Sequence, residues 1–213
     1  MEPVKTHPHK LQSPLAKPTL TDRLRTHAAV IINPMVEFLA RWRFTPDGLT
    51  ITGMLFHFFF AWLIASGHIF WAGVAIMFIA PLDALDGALA RRLGRKQGGF
   101  GAFLDSTLDR LAEIILFAGY LLYFNREGEG LWQAAAYLAI TGSLMVSYAR
   151  SRAEALGLEC KIGIASRVER YILIIVTLLL QWPEAGLLIL AVTTYITLAQ
   201  RIWHVWKQTR AKE

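Results

Sequence analysis

Residues 48–81 contain no aspartate, glutamate, lysine or arginine, and this stretch limits most strongly what the chain can fold into. About 20 apolar residues in a helix cross the hydrocarbon core of a bilayer, and a helix satisfies its own backbone hydrogen bonds there. The stretch is too long for one core helix of a soluble protein, and it has room for a bend between two spans. The first prediction is therefore an integral membrane protein.

Further apolar segments follow, and hydrophobic residues make up 54% of the chain. The pattern predicts an all-α integral membrane fold with six transmembrane helices, near residues 47–67, 69–91, 101–124, 131–152, 167–183 and 185–206. We predict four parts: a disordered cytoplasmic tail (1–19), a juxtamembrane amphipathic helix (20–45), a six-helix membrane catalytic domain (46–206) and a second cytoplasmic tail (207–213).

The segment before the first predicted span is amphipathic. Apolar residues recur at helical spacing from Leu24 to Trp42, and the charged residues lie largely elsewhere around the helix. Thr21 and Asp22 are suitable residues for a helix start, and Pro34 is expected to bend the helix. The pattern is typical of a helix that lies in the membrane interface among anionic headgroups. A helix packed on cytoplasmic protein is the alternative.

Positive charge is distributed unevenly along the chain. Of the 22 lysines and arginines, 20 lie in residues 1–45, 91–96, 150–170 and 201–212. The positive-inside rule places these segments, and both termini, in the cytoplasm. This topology accounts for the formal net charge of +6, so nucleic acid is not an expected partner. The expected location is a bacterial or archaeal cell membrane, with the active site facing the cytoplasm.

Four aspartates lie near the inner ends of consecutive predicted spans, where ionisable side chains are costly and usually functional. Asp83 and Asp86 are three residues apart, and Asp105 and Asp109 are four apart, so each pair shares a helix face. Two carboxylates about 5 Å apart repel each other by about 3 kcal/mol at an effective dielectric constant of about 20. A cation must offset this repulsion, and an all-carboxylate site suits Mg²⁺, Mn²⁺ or Ca²⁺.

Two arginines offer an alternative to the metal. Arg91 and Arg110 could neutralise part of the carboxylate charge. Arg110 follows Asp109 directly, however, so we expect it to point about 100° away around the helix. The residue types therefore favour the metal site.

Residues 83–91 read Asp-Ala-Leu-Asp-Gly-Ala-Leu-Ala-Arg, and residues 101–109 read Gly-Ala-Phe-Leu-Asp-Ser-Thr-Leu-Asp. Together they resemble the signature DxxDGxxAR…GxxxDxxxD of the CDP-alcohol phosphotransferase (CDP-alcohol phosphatidyltransferase) family. The resemblance extends to the surface helix and the six-span layout, which is nearly the whole chain after residue 20. The chain departs from the pattern in two places. One residue more than usual separates Arg91 from Gly101, and Asp47 stands where asparagine is common.

The resemblance implies a metal-dependent enzyme in which an alcohol hydroxyl attacks a CDP-linked substrate and CMP leaves. It implies two Mg²⁺ or Mn²⁺ ions held by Asp83, Asp86, Asp105 and Asp109. It also implies that Asp109 is the general base and that the chain forms a homodimer among membrane lipids. The implied CDP-binding residues are Asp86, Gly87, Ala90 and Arg91.

A second basic cluster is the candidate acceptor site, with Ser147, Arg150, Arg167 and Arg170 as its residues. Guanidinium groups match the geometry of phosphate. The alternative is ordinary cytoplasmic charge that reaches lipid headgroups. The cluster resembles the family branch that makes phosphatidylinositol phosphate or its archaeal-lipid equivalent. The expected reaction transfers a phosphatidyl group from CDP-diacylglycerol or a similar lipid to a phosphorylated polyol such as inositol phosphate.

Two other functions stay open. A phosphatidylglycerol phosphate synthase would use glycerol 3-phosphate and similar arginines. An ion transporter can also carry intramembrane carboxylates, although here no series of charged residues reaches the outer side. Among single residues, His57 is expected to be a hydrogen-bonded packing residue. Glu113 either supports the aspartate site or pairs with Arg110.

Overall fold

The computed structural model describes residues 34–79, 82–94 and 99–210, with the backbone alone for residues 82–84. All regular secondary structure in these residues is helical, so the all-α prediction is confirmed. Residues 34–41 form α1. The remaining helices are α2 (Pro46–Ala65), α3 (Ile69–Ile79), α4 (Leu82–Arg92), α5 (Phe100–Arg126), α6 (Gly130–Ala155), α7 (Arg167–Leu179) and α8 (Pro183–Arg210).

The helices follow the predicted spans with two differences. Two described helices, α3 and α4, lie along the predicted span 69–91, and residues 80 and 81 between them lie outside the described residues. Helix α8 continues to Arg210, past the predicted boundary at residue 206. By length and composition alone, α2 and α8 are the described helices that could cross a membrane, and α3 is apolar but shorter.

The structure describes only the last part of the juxtamembrane segment, from residue 34 to residue 45. Helix α1 buries Val36 against Leu49 of α2 and against Leu85 and Leu89 of α4, so it packs on both helices. The predicted helix start at Thr21-Asp22 and the tail of residues 1–19 lie outside the described residues.

The start of α2 is fixed by local chemistry. The Thr45 Oγ1 atom accepts a hydrogen bond from the Gly48 amide at 3.1 Å, which satisfies one of the free N–H groups at the helix start. Pro46 is the first residue of the helix, where its missing N–H costs nothing and its fixed φ suits the helix. The segment that carries Thr50 is therefore placed by the sequence itself.

The main core lies between α2, α3, α5, α6, α7 and α8. Phe60 of α2, Phe117 and Tyr120 of α5, Ile174 of α7 and Leu187 of α8 are among its buried members. Helix α5 packs closely on α2 and α6, and α7 packs on α3 and α8. The outward sides of the helices carry many exposed large apolar residues, an extent that is unusual for a soluble monomer.

The helices alternate in direction, which brings distant segments to one end of the bundle. The starts of α2, α5 and α7 meet the ends of α4, α6 and α8 there. Side-chain contacts between Thr50 and Asp86, and between Asp109 and Arg167, join these segments. We call this the aspartate end.

Candidate active site

Asp86 lies on α4 and is 7% exposed. Its Oδ2 atom is 2.7 Å from the Thr50 hydroxyl, which also lies 3.1 Å from the Pro46 carbonyl oxygen. A threonine hydroxyl has one proton to donate. The carboxylate oxygen of Asp86 is the nearer of the two oxygens and the stronger acceptor. Thr50 therefore orients the buried carboxylate of Asp86 from the first turns of α2.

Asp109 lies on α5 and contacts two arginines. The Arg167 Nη1 atom at the start of α7 is 2.6 Å from Asp109 Oδ2, and Arg110 Nη1 is 3.4 Å from the same oxygen. Arg110 also donates to the Ser106 carbonyl. Helix geometry predicted that Arg110 points about 100° away from Asp109, but the contact between the two side chains shows that it does not point wholly away. The Asp109 side chain is 12% exposed and that of Arg167 is 31% exposed, so solvent reaches this pair.

A small cavity lies between Asp109 and Thr50. Its volume is about 10 Å³, the size of one water molecule, and it is lined by Thr50, Met54, His57, Leu108, Asp109, Ala112 and Arg167. Thr50 thus contacts Asp86 and lines the cavity of Asp109. Thr50 of α2 therefore adjoins one aspartate of each predicted pair, Asp86 of α4 and Asp109 of α5.

The complete four-carboxylate site is only partly described. Asp105 is half-buried on α5, and Asp83 lies on the described backbone of α4, but its side chain is outside the described part. Among the side chains that the structure does describe, no group of three His, Cys, Asp or Glu residues is close enough to hold a metal. The donor chemistry nevertheless fits a hard divalent cation, because Asp86 of α4 and Asp109 of α5 both present carboxylate oxygens next to Thr50.

The predicted CDP-binding residues lie in the middle and last turns of α4. Gly87 and Ala90 are half-buried, and Arg91 is exposed. A Cβ atom on Gly87 would meet the Arg91 Nη1 atom at 3.5 Å, so the guanidinium group turns back over the glycine. A side chain at position 87 would therefore lie in contact with the Arg91 guanidinium group.

The four predicted acceptor residues are in different environments. Ser147 is half-buried on α6. Arg150 Nε is 2.8 Å from Glu154 Oε1, with both side chains 45% exposed. Arg167 contacts Asp109 and lies over the Tyr171 ring, 5.4 Å from its centroid. Arg170 is 2% exposed, so it lies deeper than the other three.

Glu113 has a partner that the sequence did not predict. Its Oε1 atom is 2.6 Å from Arg170 Nη2, and both side chains are buried. We expected either support of the aspartates or a pair with Arg110. The actual partner is 57 residues away along the chain, a separation that helical spacing cannot indicate.

His57 is the hydrogen-bonded packing residue that the sequence predicts. Its Nδ1 is 2.9 Å from the Gly53 carbonyl, and its Nε2 is 2.9 Å from the Tyr171 hydroxyl. A carbonyl only accepts, so Nδ1 carries a proton and donates to Gly53. The ring thereby supports Tyr171, on which Arg167 rests.

Arg201 is a buried residue that the sequence treated only as cytoplasmic charge. It lies on α8 and is 4% exposed. Its Nε donates to the Ile162 carbonyl at 2.9 Å, and its Nη1 donates to the Val146 carbonyl of α6. A charged residue inside a predicted span is a sequence signal that could have identified it. Arg201 holds the loop before α7 against α6 and α8.

Comparison with known proteins identifies the family. Residues 43–203 match the CDP-alcohol phosphatidyltransferase family. The chain belongs to this family. It is therefore a transferase that acts on a CDP-linked substrate, and the ion-transporter alternative is excluded.

Relatives of known name are similar over most of their length. The phosphatidylinositol phosphate synthase of Mycobacteroides abscessus is 39% identical over 186 residues, covering 82% of this chain and 83% of the relative. The archaetidylinositol phosphate synthase of Methanothermobacter thermautotrophicus is 37% identical over 185 residues, covering 84% and 90%.

Solved structures of a Mycobacterium tuberculosis phosphatidylinositol phosphate synthase (PgsA1) are also similar to this CDP-alcohol phosphatidyltransferase. The structure with CDP-DAG bound has a TM-score of 0.78 and 32% identity, covering 84% of this chain and 94% of the other. The complex with manganese and citrate has a TM-score of 0.77 and 31% identity, covering 82% and 88%.

Proposed function

We propose that this CDP-alcohol phosphatidyltransferase transfers a phosphatidyl group from a CDP-linked lipid such as CDP-diacylglycerol to a phosphorylated polyol such as inositol phosphate. The observation that carries the proposal is the contact between Asp109 and Arg167. It sets a candidate proton acceptor beside a candidate phosphate receptor in a partly open site. The names of the similar enzymes support an inositol phosphate as the acceptor.

The reaction joins the acceptor oxygen to the lipid-side phosphorus of the CDP-lipid. The bond between that phosphorus and the bridging oxygen breaks, and the bridging oxygen leaves with CMP. Asp109 takes the hydroxyl proton as general base. Two Mg²⁺ or Mn²⁺ ions, when held by Asp83, Asp86, Asp105 and Asp109, supply neutralisation of the diphosphate charge. Manganese in a similar structure supports a divalent metal.

The substrates take opposite sides of the aspartates. Asp86, Gly87, Ala90 and Arg91 are proposed to bind the CDP moiety, where Gly87 lets a ligand approach α4. Arg150, Arg167 and Ser147 are proposed to bind the acceptor phosphate. Arg170 is not included in this set, because Glu113 and the protein interior enclose its guanidinium group.

The proposed membrane arrangement has six spans, with α3 and α4 together forming the second. Both termini and the aspartate end face the cytoplasm, and the membrane is bacterial or archaeal. The exposed apolar sides of the helices support this placement. Trp203 and Trp206 support an interfacial position for the end of α8, because they are exposed and stacked, with Lys207 and Arg210 over their rings. We also propose a homodimer, which the family resemblance implies.

The test uses the purified full-length protein in lipid nanodiscs with CDP-diacylglycerol and Mn²⁺. CMP release is measured with inositol phosphate, glycerol 3-phosphate, inositol and serine. We expect the highest kcat/KM with inositol phosphate, loss of turnover with a chelator, and recovery with Mn²⁺ or Mg²⁺. No CMP release with any phosphorylated alcohol would refute the proposal. A preference for glycerol 3-phosphate would instead establish the alternative acceptor.

The proposed acceptor site has its own variant. Arg150→Ala should raise the acceptor KM and leave the KM for the CDP-lipid unchanged. Arg152→Ala is the matched control, because Arg152 is an exposed arginine of the same helix outside the predicted cluster. Equal acceptor KM values for the two variants would remove Arg150 from the site.

A further inference from the structure

Two ion pairs join α5 to α7, and the buried pair, Glu113–Arg170, has no role in the proposed chemistry. Asp109 and Glu113 are one helical turn apart on α5, and Arg167 and Arg170 are about one turn apart on α7. The closest oxygen-to-nitrogen distance is 2.6 Å in both pairs. The outer pair, Asp109–Arg167, is partly exposed, whereas Glu113–Arg170 is buried.

The backbones of α5 and α7 barely approach each other among the described residues. Helix α5 packs its backbone on α2 and α6, and α7 packs on α3 and α8. Long charged side chains therefore bridge the space between these two helices near the aspartate end. The length and direction of the buried bridge influence where the first turn of α7 stands relative to α5.

Arg170 holds the start of α7 at a second point. Its Nη1 atom donates to the Ala165 carbonyl at 3.1 Å, while its Nη2 atom reaches Glu113. The Ala165 amide donates to Thr197 Oγ1 of α8 at 3.0 Å. The residue two positions before Arg167 is thus held from both sides, and the rigid guanidinium fork ties it to α5 through Glu113.

We propose that Glu113 and Arg170 are positioning residues for the acceptor side of the reaction. Their buried ion pair holds the first turn of α7 at the place from which Arg167 reaches Asp109. The inference rests on the proposed function, and it assigns neither residue a contact with substrate. It explains why a charged pair lies inside the bundle one turn below the proposed site.

Two observations argue against a purely stabilising role for this ion pair. Buried ion pairs can often be replaced by apolar residues of similar volume without loss of stability. The Arg170 Nε atom is buried and has no hydrogen-bond partner in the described part of the chain. An unsatisfied buried donor lowers stability, so this pair is poorly suited to stabilisation alone.

The main test is the double variant Glu113→Leu/Arg170→Met, which replaces both charges with apolar side chains. The full-length variant is measured in nanodiscs with the acceptor that the wild type uses best. We expect a thermal midpoint close to the wild-type value and a fall in acceptor kcat/KM of about 10- to 100-fold, since small misplacements cost that much. The KM for the CDP-lipid should stay within about twofold, because the proposed CDP residues lie on α4.

Arg170→Lys is a second variant that keeps the charge. One ammonium nitrogen cannot reach both Glu113 and the Ala165 carbonyl in the directions that the guanidinium fork covers. We expect a smaller fall in acceptor kcat/KM with the same selectivity. This variant decides the question if the double variant does not fold. Arg126→Gln/Glu127→Gln is the matched control, because it removes an exposed ion pair at the opposite end.

Two outcomes for the double variant would overturn the inference. One is a folded double variant whose acceptor kcat/KM equals that of the wild type within twofold. The other is an equal fall in kcat/KM for both substrates, which would indicate general damage. If Arg170→Lys has to decide, wild-type acceptor kinetics overturn it as well. Failure of the proposed function is seen separately, as a wild type that releases no CMP with phosphorylated alcohols.

Discussion

Among the described residues, Asp109 contacts a guanidinium group from α7 and another from its own helix, and it lines a small cavity shared with α2. Arg167 and Arg110 contact the same carboxylate oxygen. The carboxylate is thus held in place before any substrate arrives, and its side chain remains partly exposed. This setting is suited to a group that accepts a proton from an incoming hydroxyl.

The substitution Asp109→Asn should lower the rate of CMP release by about 10²–10⁴-fold, because an amide cannot accept the hydroxyl proton. Binding of the CDP-lipid, measured separately, should persist. Asp47→Asn is the control, since asparagine is common at that position of the family signature. Turnover of Asp109→Asn at a near-normal rate would refute the role of Asp109 as base.

Thr50→Val should weaken metal-dependent activity, because it removes the hydroxyl that orients the buried Asp86 carboxylate. Loss of such a supporting hydrogen bond typically costs about 10–100-fold in metal affinity or activity. The measurement is the Mn²⁺ concentration for half-maximal activity, together with Mn²⁺ binding followed by electron paramagnetic resonance.

The control for this change is Thr52→Val, whose exposed hydroxyl donates to the Gly48 carbonyl of its own helix. The same Mn²⁺ dependence in both variants would show that Thr50 does not support the metal site.

At the scale of elements, the crossing of α2 and α5 places Thr50 against the aspartates. Gly119 of α5 makes this crossing close, because a Cβ atom there would lie 2.7 Å from Ala61 Cα and from the Ala61 carbonyl oxygen. Backbone atoms cannot move aside as a flexible side chain would. Small residues in the interface are the usual way in which membrane helices approach closely.

Gly119→Ala should therefore lower the free energy of unfolding by about 1–3 kcal/mol, the usual cost of overpacking. The measurement is the thermal midpoint in detergent. Gly130→Ala is the control, because a Cβ atom at the start of α6 would meet open space. Equal midpoints for the two variants would show that the crossing tolerates a wider separation.

At the scale of the whole molecule, the proposed orientation can be measured directly. Cys160 is the single cysteine and is fully buried, so Cys160→Ala gives a background for labelling. In this background, Glu127→Cys should react with a membrane-impermeant thiol reagent added to intact cells. Lys207→Cys should react only after permeabilisation, since 20 of the 22 basic residues predict that its side is cytoplasmic. The reverse pattern would invert the topology.

Much of the fold followed from local patterns. Charge-free stretches predicted the positions of most helices, and the Thr45-Pro46 start of α2 follows from capping chemistry. The number of spans stays a proposal, since membrane placement depends on lipid as well as on helix length.

The sequence by itself determined the family and the residues of the proposed chemistry. Spacings of three and four residues put aspartates on one helix face, and a short signature preserves them. Only the tertiary structure decided the partners of Glu113, Arg170 and Arg201, which lie 57, 57 and up to 55 residues away from their contacts. Periodicity carries no information over such distances. The packing of α5, α6, α7 and α8 decides which buried charges meet.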